Sequence, residues 1–371
     1  MIYQVLAVAL LAAALGYLAH NTLANMRARG IQSGFDFVTQ PAGFAIGESL
    51  IPFDSSDSYA KAFLVGLSNT LRVALVGIVL ATAIGLAVGV GRLSRNLLVR
   101  GLCSAYVEAL RNVPLLLQLF MWYFALTEML PSIDEALQPL PHVFLSKAGL
   151  QFPLPAAGAS LRLTAIGLLA GIAASWAWAR FARVRREASG RALPVALPGL
   201  AFWVLGALAG WWADGAPTAL DLPERTFINI SGGGAVTPEY LTVLLGLSFY
   251  TASYIAEVVR AGIQSVAFGQ IEAASALGLS RMQSLRLVQL PQALRVIIPP
   301  LTNQYLNLTK NSSLAVAVGY PDLVSISSTS LNQTGRAVEC LTIVMGCYLV
   351  LSLLTSLGMG WYNRRARIEE R

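Results

Sequence analysis

The sequence alternates between long apolar stretches and short polar connections, and eight of the apolar stretches are long enough to cross a bilayer. They lie near residues 2–20, 63–91, 101–130, 161–181, 193–212, 238–262, 295–318 and 338–361. The pattern predicts an all-α, polytopic integral membrane protein with about eight transmembrane helices. Because the two longest stretches, 63–91 and 101–130, extend well beyond the ~20 residues that a span needs, we expect tilted helices or helices that extend beyond the membrane.

Charged residues are few and concentrated in the connections. Hydrophobic residues make up 56% of the chain and charged residues 12%, which is typical of a membrane protein and too little charge for the surface of a soluble enzyme. The net charge of +7 comes largely from arginines in loops 92–100 and 180–191 and in the C-terminal tail. The positive-inside rule places these segments in the cytoplasm, so the charge does not indicate nucleic-acid binding.

Other patterns exclude some kinds of chemistry. Two histidines and three cysteines form no ligand spacing, so no metal site is predicted. The sequence contains no Gly-x4-Gly-Lys-Ser/Thr, so the chain has no phosphate-binding loop of its own.

Residues 27–60 are expected to be ordered on the outer face. Residues 213–237, which include three consecutive glycines, predict a flexible outer loop.

One polar segment, residues 272–291, lies between two long apolar stretches and carries its own turn signals. It begins with Glu-Ala-Ala, and the small residues allow a partner surface to approach closely. Gly278 is suited to the left-handed conformation that ends a helix, and Ser280 with Gln283 has the spacing of a capping box. We therefore predict two short helices that meet at Gly278 and form a compact projection.

This segment resembles the Glu-Ala-Ala loop of ABC-importer permeases, in which Glu-Ala-Ala is followed at fixed spacing by Gly, Ile and Leu-Pro. The matching residues are Glu272, Ala273, Ala274, Gly278, Leu290 and Pro291, while Val288 replaces Ile. In that family the loop receives force from a separate ATPase. The resemblance therefore implies an ATPase-coupling role for Glu272, Ala273, Ala274, Gly278, Leu279, Ser280 and Arg281.

Three further segments resemble signatures of the histidine/glutamine/glutamate permease branch. Residues 108–118 are similar to Glu-x2-Arg-Gly-x-Pro-x-Leu-x-Gln, with Asn112 in place of Gly. Residues 254–263 match a second signature, and residues 310–314 resemble Lys-Asp-Thr-Ser-Leu. The core of that branch has about five spans. Two additions raise the number of spans to eight. One is a first span with its outer loop in 1–60, and the other is a helix pair inserted at about 161–212 into the permease domain 61–371. This enlarged layout resembles permeases for general L-amino acids.

The resemblance implies a type I importer fold and a subunit that couples ATPase closure to alternating access for polar, acidic or a broad range of L-amino acids. The chain would not be catalytic alone and would bind no cofactor, since partner ATPase subunits hydrolyse ATP with Mg²⁺. The implied partners are a second permease, which is a homologous but different chain, two ATPases, a periplasmic amino-acid-binding protein and the bilayer. The implied location is the bacterial inner membrane.

Ionisable and polar side chains within apolar stretches are candidates for the substrate pathway, because burying a charge in a membrane costs at least ~2.5 kcal/mol. Lys310 is one of only three lysines and lies about thirteen residues into its stretch, or ~20 Å deep at ~1.5 Å per residue. A cation beside polar, loosened backbone suits a carboxylate ligand. The candidates are Lys310, Asn311, Ser312, Ser313, Glu257, Tyr254 and Arg72.

Each candidate also has a structural interpretation. Lys310 is equally suited to contact a neighbouring helix, and Arg72 to snorkel toward headgroups. Glu257 with Arg260, and Glu108 with Arg111, are three residues apart and predict structural ion pairs. At the level of function, two alternatives remain open. One is a partner permease of the same heteromeric importer that binds no substrate itself, and the other is a secondary amino-acid transporter, which needs no ATPase.

Overall fold

The computed structural model describes residues 2–28, 30, 33–155, 162–189, 193–216, 220–226 and 229–366. Its helices are α1 (Ile2–Ala28), α2 (Tyr59–Gly91), α3 (Leu97–Asn112), α4 (Leu115–Phe124), α5 (Arg162–Ser189), α6 (Ala196–Ala213), α7 (Pro238–Gln264), α8 (Phe268–Ala276), α9 (Arg281–Ser284), α10 (Leu290–Asn311), α11 (Leu323–Thr334) and α12 (Ala337–Ala366). The chain divides into two compact units, Met1–Thr127 with Thr237–Arg371, and Glu128–Val236.

In the first unit, α2 packs along α7, and glycines on α2 allow the two backbones to approach closely. A Cβ on Gly85 would lie 2.6 Å from the side chain of Ile255, and a Cβ on Gly89 would lie 2.8 Å from the carbonyl oxygen of Ala256. No larger residue fits at either position without a shift of α7. This helix pair forms the centre of the unit.

The apolar stretch predicted at 101–130 is bent rather than straight. Helices α3 and α4 meet at Pro114 with an angle of 107°, and a π-helical turn, Ala125–Met129, continues α4. The buried Gln118 amide donates to the carbonyl oxygens of Leu110 (2.8 Å) and Val113 (2.9 Å) at the end of α3. Because a bend exposes such carbonyls, Gln118 supplies the partners that the interrupted helix lacks.

The eight-span count is not confirmed. By length and hydropathy, the described residues hold five helices that are able to cross a membrane: α1, α2, α5, α7 and α12. The bent pair α3–α4 makes a sixth if it is one span, and α6 contains a shorter apolar helix, Leu197–Ala213. Helix α10 is not among them, since polar residues such as Gln304, Asn307 and Lys310 lower its hydropathy.

The second unit contains strands that the sequence analysis did not predict. They are β1 (Leu137–Leu140), β2 (Val143–Ser146), β3 (Gly149–Phe152), β4 (Leu154–Pro155), β5 (Leu220–Asp221), β6 (Glu224–Arg225), β7 (Ile230–Ser231) and β8 (Gly234–Val236). The largest sheet has the order β1-β2-β3-β8, all antiparallel, with Leu150 opposite Val236. The expectation of a flexible loop at 213–237 was wrong, because the described part of that segment pairs with strands preceding α5 and with itself.

The inserted helix pair is held by close backbone packing. Gly167 and Gly171 on α5 face Gly206 and Gly210 on α6, and a Cβ on any of them would overlap main-chain atoms of the other helix. This small-xxx-small pattern is typical of helices that associate in membranes. Asp214, after α6, accepts hydrogen bonds from the Thr164 backbone (2.7 Å) and hydroxyl (2.8 Å) and so caps the start of α5.

The outer loop that precedes α2 is ordered, as expected. Phe37 is buried against Tyr59, Leu323 and other residues of α2, α11 and α12. Asp36 pairs with Arg336 just before α12 at 2.5 Å, and the hydrogen bond from this guanidinium holds the pKa of the Asp36 carboxyl below its usual range. The loop therefore joins the outer ends of three helices.

Candidate functional site

Residues 268–290 form the predicted projection. Helix α8 ends in a Schellman motif, with Leu279 N–H donating to Ala274 O (3.1 Å) and Gly278 N–H to Ser275 O (3.0 Å). Gly278 has φ +73°. The capping box is present, with Ser280 N–H donating to Gln283 Oε1 (2.8 Å) and Gln283 N–H to Ser280 Oγ (3.3 Å). The local turn prediction is confirmed. Pro291 lies in the first turn of α10.

The projection exposes apolar side chains that a soluble surface would normally cover. Phe268 is 70% exposed, Leu277 81% and Met282 55%. Among the predicted coupling residues, Glu272, Ala273, Gly278, Ser280 and Arg281 are exposed, Leu279 is half-buried and Ala274 is buried. Exposed apolar side chains beside one acidic residue, Glu272, and two basic ones, Arg281 and Arg286, are suited to bind another protein.

Glu257 lies in a cluster with three arginines. Its carboxylate pairs with Arg92 at the end of α2, with Arg260 on the next turn of α7, and with Arg111 of α3 at 3.6 Å. The predicted pairing of Glu108 with Arg111 is wrong, because Arg111 reaches across to Glu257 while Glu108 points to an exposed face. Both carboxylate oxygens of Glu257 are paired with arginines in this conformation. Glu257 is therefore not available to bind a substrate ammonium group.

A polar pocket of about 250 Å³ lies between α7 and α10. It is lined by Tyr250, Thr251, Tyr254, Gln304, Asn307 and Asn311. The hydroxyls of Tyr250 and Tyr254 are 3.1 Å apart, and the Arg111 guanidinium lies 5.2 Å from the centre of the Tyr254 ring. The pocket thus offers phenolic hydroxyls and amides, and a cation lies beside one wall.

Two predicted pathway residues, Tyr254 and Asn311, come together in this pocket, whereas the others lie elsewhere. Lys310 is exposed at the end of α10. There the helix changes to a 3-10 segment, Ser312–Val318, as the predicted local break requires. Ser312 is buried and donates to Thr309 O (2.7 Å), and Ser313 donates to Lys310 O (2.8 Å). Both hydroxyls therefore stabilise the change of helix type.

Arg72 lies at the outer end of the unit, in a polar network. Its guanidinium pairs with Glu48 at 2.5 Å and stacks 4.0 Å from the centre of the Tyr240 ring. The second oxygen of Glu48 accepts from Thr237 Oγ1, the N-cap of α7, at 2.5 Å. Asn69 donates to Glu48 O (2.8 Å) and to Pro321 O (2.9 Å). We name Glu48, Arg72, Thr237 and Tyr240 the outer clasp.

Four pocket residues, Tyr250, Thr251, Gln304 and Asn307, and the partners in two ion pairs were not predicted from the sequence. Gln304, Asn307 and Asn311 repeat at helical spacing on one face of α10, as do Tyr250 and Tyr254 on α7, and this polar periodicity is a readable signal. Glu48 and Arg92 gave no such signal, because each pairs with a residue far away in the sequence. Within the described ranges, no three His, Cys, Asp or Glu side chains gather into a possible metal site.

Comparisons with known proteins agree on one family. The family model for the inner membrane component of binding-protein-dependent transport systems matches residues 77–368. The chain is 46% identical over 369 residues to the general L-amino acid transport system permease protein AapQ of Rhizobium johnstonii, covering 100% of this chain and 92% of that protein.

Two further relatives cover the chain almost completely. The putative amino-acid ABC transporter permease protein YhdX of Escherichia coli is 44% identical over 380 residues, covering 100% of this chain and 94% of that protein. The glutamate/glutamine/aspartate/asparagine transport system permease protein BztB of Rhodobacter capsulatus is 38% identical over 400 residues, covering 99% and 93%.

Proposed function

Because the chain belongs to the family of inner membrane components of binding-protein-dependent transport systems, we propose that it is the membrane-spanning permease subunit of an ATP-driven importer of L-amino acids. The observation that carries this function is the exposed projection at residues 268–290, which supplies a docking surface for a partner. The permease itself makes and breaks no bonds.

The projection transmits motion because of how it is built. Gly278 and the capping box fix the angle between α8 and α9, and a π-helical turn, Leu285–Gln289, continues α9 directly into α10. The exposed apolar face is therefore joined to α10, one wall of the polar pocket, by continuous helical structure. We assign this face to an ATPase subunit, which supplies ATP and Mg²⁺, while this chain binds no cofactor.

The polar pocket between α7 and α10 is the proposed substrate pathway of this subunit. Its phenol and amide groups accept and donate hydrogen bonds without fixed charge, which suits side chains of varied polarity. Lys310 follows the pocket residue Asn307 by three positions and supplies a cation for a substrate carboxylate. Glu257 and Arg72 are positioning residues in this proposal, since both are already paired.

The importer assembles around this subunit. We propose a second, homologous permease that encloses the pathway with this one, two ATPases on the cytoplasmic side, and a periplasmic amino-acid-binding protein on the outer side, in the bacterial inner membrane. A secondary transporter needs no binding protein, so the family argues against that alternative. A partner permease that binds no substrate itself remains the second candidate, favoured by the exposure of Lys310 outside the pocket lining.

Reconstitution tests the function directly. The complex is placed in proteoliposomes with ATP inside and with binding protein and radiolabelled glutamate, glutamine or leucine outside. We expect uptake that requires both ATP and the binding protein. Uptake without ATP would contradict the proposal. Tyr254→Phe/Asn311→Ala then separates the two candidates, because uptake per complex should fall only if this chain contributes to the pathway.

A further inference from the structure

The α5–α6 pair carries a groove that the proposed transport cycle does not use. It encloses about 510 Å³, within the ~300–1,000 Å³ range of small-molecule sites. Its lining includes Trp176 and Ala179 of α5 and Gly199 and Trp203 of α6. Trp176 is 54% exposed and Trp203 44%, so these large rings form the sides of an open channel.

The polar atoms in the groove wall are already satisfied. The Trp203 indole N–H donates to the Ser175 hydroxyl at 2.8 Å, and this hydroxyl donates to the Ile172 carbonyl at 2.7 Å. The groove therefore presents an apolar surface and favours an apolar occupant over water or a polar solute.

One end of the groove is cationic. Arg180 follows Trp176 by four residues, and Arg183 follows Ala179 by four, so both continue the groove-lining face of α5 by one turn. The Arg180 guanidinium lies 6.0 Å from the centre of the Trp176 ring. Arg185 lies on the opposite face, 5.9 Å from the Phe181 ring. An apolar channel with two exposed guanidinium groups at one end matches an amphiphile with an anionic head.

We propose that this groove binds an anionic phospholipid of the cytoplasmic leaflet. One acyl chain lies between Trp176 and Trp203, and the phosphate contacts Arg180 and Arg183. The arginine-rich end of α5 is cytoplasmic by the positive-inside rule, which places the groove at the depth of inner-leaflet acyl chains. Basic pockets between transmembrane helices on this side of the membrane suit anionic headgroups. A neutral lipid fills the groove but leaves both guanidinium groups without a counter-charge.

Tryptophan quenching by brominated lipids tests the headgroup. The full-length chain is placed in phosphatidylcholine vesicles that contain a small fraction of brominated phosphatidylglycerol or brominated phosphatidylcholine. We expect stronger quenching by the phosphatidylglycerol, with a preference of about fivefold for each arginine. Arg180→Gln/Arg183→Gln should remove this preference, while the matched variant Arg185→Gln on the opposite face should retain it. Equal quenching by both lipids, or an unchanged preference in the double variant, would overturn the proposal.

A second pair of variants locates the acyl chain. A Cβ on Gly199 would make an ordinary van der Waals contact with Ser175 Cβ at 3.7 Å, so Gly199→Leu starts without a clash and places its side chain in the groove. We expect this variant, and separately Trp176→Phe/Trp203→Phe, to lose the phosphatidylglycerol-specific part of the quenching with an unchanged circular dichroism spectrum. Full specific quenching in either variant would show that the lipid binds elsewhere and would contradict the proposal.

Discussion

Glu48 of the outer loop and Arg72 of α2 form an ion pair of 2.5 Å that is almost closed to solvent, with 10% of the glutamate and 19% of the arginine side chain exposed. The same carboxylate accepts from Thr237 at the start of α7. One side chain thus ties the loop to α2 and to the start of α7, and α7 forms one wall of the polar pocket. The outer clasp therefore holds these three segments together.

Removing the charge of Glu48 should weaken the permease unit. Glu48→Gln keeps an acceptor for Thr237 but leaves Arg72 without its counter-ion, and we expect a loss of about 1.5–3 kcal/mol in the free energy of unfolding. The matched control is Glu128→Gln, which breaks an exposed pair with Lys147 at 3.8 Å and should cost about 0–1 kcal/mol. Thermal unfolding of the full-length chain in detergent measures both. Equal midpoints for the two variants would contradict the clasp.

Gly278 should be required for coupling. A β-branched residue at φ +73° is strained, although no atom lies within 4 Å of a Cβ there, so Gly278→Val changes the turn without creating a clash. We expect the variant complex to hydrolyse ATP but to lose most uptake in proteoliposomes. Gly269→Ala is the control, since Gly269 lies in the same projection within α8 and also has open space. Full uptake by Gly278→Val would remove the role assigned to the turn.

Lys310→Met should reduce transport of acidic amino acids more than that of neutral ones, because an acidic substrate brings a second carboxylate. The complex should still assemble, since Lys310 is exposed and the local helix change depends on the hydroxyls of Ser312 and Ser313. Lys310→Arg should be partly active, because a planar guanidinium fits a point-charge site poorly. The measurement is uptake per assembled complex. Normal uptake with a low yield of complex would show that Lys310 has only a structural role.

The α5–α6 pair should tolerate no methyl group at its crossing. Gly206→Ala places a Cβ against the Gly167 carbonyl oxygen, where both sides are backbone, and we expect a loss of about 1–3 kcal/mol. Gly199→Ala on the same helix meets only Ser175 Cβ at 3.7 Å and should be neutral or slightly stabilising. Thermal unfolding compares the two, and a neutral Gly206→Ala would show that the helices move apart easily.

Topology can be tested with cysteine reporters. After replacement of Cys103, Cys340 and Cys347, single cysteines at Ser189 and Ser231, both exposed, should react with a membrane-impermeant maleimide from opposite sides of the membrane. The expectation follows because the arginine-rich end of α5 is predicted to be cytoplasmic and α6 separates it from β7 in the chain. Reaction of both sites from the periplasmic side would overturn the eight-span arrangement.

Whether a feature could be predicted from the sequence depends on how far apart in the chain its interacting residues are. The turn at Gly278 and the box of Ser280 with Gln283 are specified by residues within one helical turn, so local rules suffice. The pairing of Leu150 with Val236 brings together segments on either side of two helices, and no local signal specifies it. The same is true of Glu48 with Arg72, whose partners belong to different elements. Lys310 was predicted because charged residues are rare in the apolar stretches. The pocket residues near it are neutral, so no such signal indicated them.

The pairing of β3 with β8 has a consequence for how the α5–α6 pair is connected to the rest of the chain. Phe152 lies opposite Gly234, so the chain leaves this sheet and returns to it at neighbouring points after passing through α5 and α6. Because the two ends of the α5–α6 segment are adjacent, a short turn between them could replace the segment. The connections between the remaining helices would not change. The sheet therefore closes the base of the α5–α6 hairpin, and removal of that hairpin would leave two chain ends that a short turn can join.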